Sequence, residues 1–253
     1  LLAATSHYTS AARAGSAHKA PARGAAPTPG VLAEVSPTGM CDSVQQYSGY
    51  FKLNTGKRPK NYFYWFFESR NAPKTDPVVM WMTGGPGCSS EVALFGENGP
   101  CAVNANGTNT TNNPYSWNTQ ANLLYIDQPA GTGFSYGTGQ DHDEDGVAVD
   151  MYDFLQQFMK AHSQYAALDF YAVGESYAGH YVPAVTHEIW KNNQNLPTGA
   201  IKINLVGTGV GNGLTMPSEQ CLPGNSRTRA RARARCCRCC PVRHGIPHGR
   251  GVS

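Results

Sequence analysis

The chain reads as an α/β protein built on a mostly parallel central sheet. Three observations predict this. Short continuous apolar runs recur, such as Pro77-Val-Val-Met-Trp-Met82 and Asn122-Leu-Leu-Tyr-Ile-Asp127; such runs mark strands buried on both faces. Between the later runs lie segments with helical periodicity, and alternating strands and helices imply parallel pairing through crossovers. No run of about 18 apolar residues exists to cross a membrane as a helix.

The elements follow in order. Residues 1–37 are rich in Ala, Gly, Ser, Thr and Pro and show no apolar period, so they read as a leader, propeptide or disordered arm. Leu1-Leu-Ala-Ala4 fits the end of a signal-peptide apolar region. Tyr47-Ser-Gly-Tyr-Phe-Lys-Leu53 alternates like a strand, and Asn54-Thr-Gly-Lys57 has turn chemistry. Asn61 to Glu68 is an aromatic-rich second strand, so the pair predicts a hairpin. Strands follow at 77–82, 122–127, 169–173 and 201–206. Val147, Met151, Phe154, Leu155 and Phe158 recur at three- and four-residue spacing, which predicts an amphipathic helix over 144–162. A second helix is expected over 177–193, and no internal repeat is present.

Charge and cysteine divide the chain unevenly. Residues 1–220 hold 12 Lys+Arg and 17 Asp+Glu, a balance of −5; residues 221–253 hold 8 Arg and no acid. Cys41, Cys88 and Cys101 lie in the first part, and Cys221, Cys236, Cys237, Cys239 and Cys240 crowd the second. The alternating arginines suit phosphate binding, but the cysteines lack the Cys-x-x-Cys spacing of zinc sites. The reading adopted is a disordered Arg/Cys-rich tail over 216–253 from a shifted frame, with no nucleic acid as partner. Two sequons, at Asn106 and Asn109, together with few cysteines in the body, suggest a secretory, oxidising compartment.

The sharpest local signal is Ala172-Val-Gly-Glu-Ser-Tyr-Ala-Gly-His180. A strand runs into small residues around Ser176 and then into a helix, which is the nucleophile elbow of α/β-hydrolases. The tight turn needs small neighbours, here Gly174 and Ala178, and the N–H of Tyr177 would point where an oxyanion forms. The rival reading is Ser176 as a helix N-cap. A second signal, Trp81-Met-Thr-Gly-Gly-Pro-Gly-Cys-Ser-Ser90, puts glycines directly after a buried strand, where backbone can approach a ligand or simply turn.

With Glu97-Asn-Gly-Pro100, Asp127-Gln-Pro-Ala-Gly-Thr-Gly-Phe-Ser-Tyr136, Gly174 to Pro183 and Gly211-Asn-Gly-Leu214, these motifs resemble the serine carboxypeptidase family, carboxypeptidase Y-like enzymes among them. The resemblance covers about Gln46 to Leu214 and implies an N-terminal part, residues 38–215, of an α/β-hydrolase-type domain truncated before its last strands. It implies a carboxypeptidase of the lysosome or vacuole, or secreted, acting on peptide C-termini with no cofactor and no metal. Ser176 would be the acylated nucleophile. Gly85 and Tyr177 would form the oxyanion hole. Thr83, Glu97, Glu175 and Trp81 would bind the substrate carboxylate. Many family members have Asn where Thr83 stands. Two close carboxyls can share a proton and so donate to a third.

A serine nucleophile also needs a base and an orienting acid, which in this fold follow it in the chain. No Asp follows Asp169, and the later histidines are His180, His187, His244 and His248. The alternatives are therefore a catalytically inactive fragment lacking the triad Asp and His, or an acyltransferase or esterase of the same fold.

Overall fold

A computed structural model describes residues 31–37 and 39–220. Strands β1 (Val31–Val35), β2 (Gln46–Lys52), β3 (Lys60–Phe67) and β4 (Val78–Met82) lead into a short helix, α1 (Glu91–Gly96). β5 (Cys101–Val103) and β6 (Thr110–Asn112) form a small antiparallel hairpin. There follow β7 (Asn122–Ile126), β8 (Tyr136–Gly137), α2 (Glu144–Ala161), β9 (Phe170–Glu175), α3 (Ala178–Gln194), β10 (Leu205–Gly211) and α4 (Pro217–Gln220). The main sheet has the order β1-β2-β3-β7-β4-β9-β10, with β8 on the flank of β3. Pairing is antiparallel from β1 to β7 and parallel from β7 through β4 and β9 to β10.

The parallel half follows from sequence chemistry. All five residues of β4 and of β7 are buried, as the apolar runs 78–82 and 123–126 require, and the side chain of Asn122 is satisfied by the backbone of Ser69, Pro73 and Asp76. In β3 the alternation splits the faces. Tyr62, Tyr64 and Phe66 join the core under α2 and α3, while Trp65 and Phe67 join the core under α1. The predicted stripe on α2 is buried as a unit, with Phe154 edge-on to Phe51 at 5.3 Å and to Tyr64 at 5.7 Å. Asp143 caps α2 by accepting the Gly146 N–H at 2.8 Å, and Lys160 lies in its last turn. Beneath α2, buried Lys60 donates to Asp141 at 2.5 Å and Asp150 at 2.7 Å, which ties the β2–β3 turn to the helix.

Three expectations need correction. The strand expected over 201–206 starts only at Leu205 and runs to Gly211. The side chain of Gln156 bonds both backbone groups of Ile201, and that of Asn193 bonds both of Ile203. Side-chain amides thus replace a ladder there. Ile201 and Ile203 read as strand because both pack on the apolar core. The arm expected over 1–37 ends sooner, because Val31–Val35 adds to the sheet beside β2. The buried His162 on α2's C-terminal side meets Glu34 of that strand at 2.9 Å. Residues 216–220, expected in the tail, include the short α4. Residues 1–30 and the segment 221–253 with its arginines, cysteines, His244 and His248 lie outside the described residues.

Cys41 and Cys101 form a disulfide, a pairing the sequence left open, and Cys88 is free and exposed. No helix among the described residues is long and apolar enough to cross a membrane.

Candidate active site

Ser176 sits between the end of β9 and the start of α3 with φ at +61°, and its side chain is exposed. A non-glycine residue in this region costs on the order of 1–2 kcal/mol and must be held there. Three backbone bonds hold it. Its N–H donates to Gly211 at 3.0 Å, and its carbonyl accepts from Leu214 at 2.8 Å and from Gly179 at 3.0 Å. The shifted β10 and the turn after it therefore lock the elbow. Tyr177 is the residue that precedes α3, so Ser176 is not its cap. A Cβ on Gly174 would fall 2.4 Å from Met82 O and 2.5 Å from Ala178 Cβ, which explains the small residues on both sides.

The glycine loop comes to the same point. A Cβ on Gly84 would lie 2.3 Å from the nitrogen of Tyr177 and 2.6 Å from Glu175 O, so the two backbones touch only because Gly84 has no side chain. Gly85 follows at φ +113°, a conformation that favours glycine, and Cys88 N–H closes the turn on Gly84 O at 3.1 Å. The loop and the elbow thus bring Gly84, Gly85 and the Tyr177 N–H together beside Ser176. The Tyr177 hydroxyl donates to Glu144 at 2.7 Å, and its ring stacks on His180 at 4.6 Å.

Glu97 and Glu175 hydrogen-bond each other, and the Glu97 pKa is raised, first by desolvation and then by the charge and the hydrogen bond of Glu175. Trp81 Nε1 donates to Thr83 Oγ1 at 3.1 Å, and the Trp81 ring meets Trp117 edge-on at 5.4 Å. That donation occupies one acceptor site on Thr83 Oγ1 and leaves the hydroxyl proton available for donation. His180 Nδ1 lies 3.9 Å from Glu144, and His187 stacks on Trp190, so neither is engaged with Ser176. Asn106 and Asn109 are both exposed around the β5–β6 hairpin. No cluster of metal-ligating side chains is present among the described residues.

The residues that hold the loop escaped the sequence reading. Asp127 is fully buried and accepts from Ser89 Oγ at 2.6 Å, Ser90 N at 2.9 Å and Phe134 N at 2.8 Å. Ser90 Oγ donates to Ile126 O at 2.7 Å and accepts the Thr83 N–H at 3.3 Å. A signal existed, since a carboxylate closing a wholly buried strand must find donors nearby, and Ser89-Ser90 is a nearby source of them.

Residues 37–226 match the profile of the family described as serine carboxypeptidase. The chain belongs to the serine carboxypeptidase family. Serine carboxypeptidase-like 48 of Arabidopsis thaliana is 51% identical over 189 residues, covering 72% of this chain and 36% of that protein. Carboxypeptidase Y homolog A of Sclerotinia sclerotiorum is 48% identical over 183 residues, covering 72% of this chain and 32% of its own. The chain therefore spans about a third of the length of these relatives. The crystal structure of Kex1Δp, a prohormone-processing carboxypeptidase from Saccharomyces cerevisiae, superposes with a TM-score of 0.65 at 26% identity, covering 78% of this chain and 47% of that one. This confirms the α/β-hydrolase sheet expected for the family. The family match also runs past Leu214, to residue 226.

Proposed function

We propose that this chain carries the nucleophile, the oxyanion hole and the carboxylate-recognition part of a serine carboxypeptidase site, for the removal of C-terminal residues from peptides through an acyl-enzyme on Ser176. Gly85 and Tyr177 offer the oxyanion N–H groups. Glu97, Glu175, Thr83 and Trp81 meet the substrate's terminal carboxylate. The single observation that carries this reading is the hydrogen-bonded Glu97–Glu175 pair, whose first member is held above the ordinary carboxyl pKa. A pair that keeps a proton can donate to a third carboxylate; a fully ionised pair repels it. An esterase pocket has no need of such a donor. The Cys41–Cys101 disulfide and the exposed sequons at Asn106 and Asn109 support a secretory, vacuolar or secreted setting.

His180 and His187 have partners elsewhere, so no histidine among the described residues is engaged with Ser176, and binding is the property by which this part of the site is tested. The test is calorimetric titration of the chain with an N-acetylated dipeptide bearing a free carboxyl, and with its amide. The acid should bind best at low pH and weaken as the pH rises and Glu97 loses its proton. The amide should bind weakly throughout. Glu97→Gln with Glu175→Gln keeps donors at high pH and should flatten the profile. Equal binding of acid and amide at low pH would overturn the reading.

A further inference from the structure

Beneath the glycine loop lies a second pair of carboxyl groups that the carboxypeptidase reading leaves without a role. Asp127 is 0% exposed and takes its three donors from two loops, Ser89 and Ser90 on one side and Phe134 on the other. A Cβ on Gly133 would fall 2.0 Å from Asp127 Oδ2, so the second loop closes over the carboxylate without leaving space. Glu91 opens α1 directly after the glycine loop. It is 6% exposed, and neither carboxyl oxygen has a hydrogen-bond partner. Its own N–H donates to Ser89 Oγ at 3.2 Å, so Ser89 bridges the two acids. The ionisable groups facing Glu91 are Asp127 and Tyr125, and Tyr50 also faces Asp127. No lysine, arginine or histidine among the described residues pairs with either carboxyl.

We propose that Asp127 is the positioning residue of the glycine loop, and that Glu91 governs it, leaving the loop clamped while neutral and loosening it when ionised. The inference rests on the carboxypeptidase reading only for what the loop does. The clamp itself is geometry. Thr83, Gly84 and Gly85 are fixed because Ser89 and Ser90 hang on Asp127 and because Ser90 Oγ takes the Thr83 N–H. A neutral Glu91 fits its buried site at modest cost. An ionised Glu91 would put a second unpaired negative charge against Asp127 in a site with little water. Burial first, and the Asp127 charge second, push the Glu91 pKa up to about 8 from 4.5. Burial also raises Asp127, against the lowering effect of its three donors. A folded pKa above the unfolded one means that Glu91 contributes stability that is fully present below about pH 4.5 and is lost as the pH rises through about 8.

The test compares the 253-residue chain with E91Q and D127N by urea unfolding from pH 6 to 9, by carboxyl ¹³C titration of Glu91, and by amide exchange at Ser90 and Phe134. In the native chain the unfolding constant should rise about a hundredfold across that range on account of Glu91. In E91Q this rise should vanish, and at pH 8.5 the Ser90 and Phe134 amides should exchange more slowly than in the native chain. In D127N the Glu91 midpoint should move down, because one opposing charge is gone; a merely structural Asp127 would leave it unmoved. If D127N does not fold, the native chain and E91Q still decide the matter. Parallel unfolding curves for those two, or a native Glu91 midpoint near 4.5, would overturn the proposal. Changing Glu97 and Glu175 to Gln should leave the Glu91 midpoint and the Ser90 and Phe134 exchange as they are, so failure here and failure of the carboxylate reading are separable.

Discussion

Two pairs of acids serve one loop, and they differ in water. Glu97 and Glu175 stand at the open cleft, where Glu97 is exposed and the pair bonds itself. Glu91 and Asp127 lie under the loop, buried and without a paired cation among the described residues. Both pairs hold like charges close together; Glu97 rises in the first pair, and Glu91 and Asp127 both rise in the second. The difference is in what answers the charge. In the cleft, solvent or an arriving ligand can do so. On the floor only fixed backbone and serine donors can, so the same chemistry becomes architecture. Position relative to water, rather than residue type, assigns the roles.

The comparison is most strongly tested by Asp127→Ala. Removing the carboxylate strands the Ser90 and Phe134 N–H groups and the Ser89 hydroxyl in a buried site. The expected loss is about 3–5 kcal/mol, a large share of a typical domain's total, read by urea unfolding. A loss under about 1 kcal/mol would show that the floor is not a clamp. Gly84→Ala should come next. Its new Cβ would meet the Tyr177 nitrogen at 2.3 Å, and backbone must yield on one side or the other. A loss of about 1–3 kcal/mol is expected, with altered amide shifts at Tyr177; an unmoved Tyr177 resonance would contradict the contact. The smallest effect belongs to the cleft. Glu97→Gln should change stability by under about 0.5 kcal/mol at neutral pH, as exposed positions do. A cost like that of Asp127→Ala would erase the distinction between the two pairs.

Much of this was legible in the chain. The elbow could be read because its requirements are local: a strand end, small residues at Gly174 and Ala178, and a helix start. The Glu97–Glu175 pair came from the family resemblance. The glycine loop was read as a loop, but its contact with Tyr177 was invisible, since it depends on how β4 and β9 lie side by side. Asp127 and Glu91 were missed for the same reason. The donors to Asp127 come from neighbouring loops, the Glu91 carboxyl has none, and no period or spacing marks either residue. β10 was misplaced because apolar Ile201 and Ile203 look like strand, while the amides of Gln156 and Asn193 that capture them come from two helices.

The strand order has a consequence during synthesis. β4 is apolar throughout and lies between β7 and β9, so its second neighbour, β9, begins at Phe170. A ribosome adding about 5–20 residues per second would need roughly 5–20 s to make the intervening stretch of about 90 residues. Throughout that interval one edge of Val78–Met82 is an open, sticky ladder. The nascent chain is thus committed to an early partnership of β4 with β7 alone, and whatever shields that edge in the cell must act before the segment carrying the nucleophile has been translated.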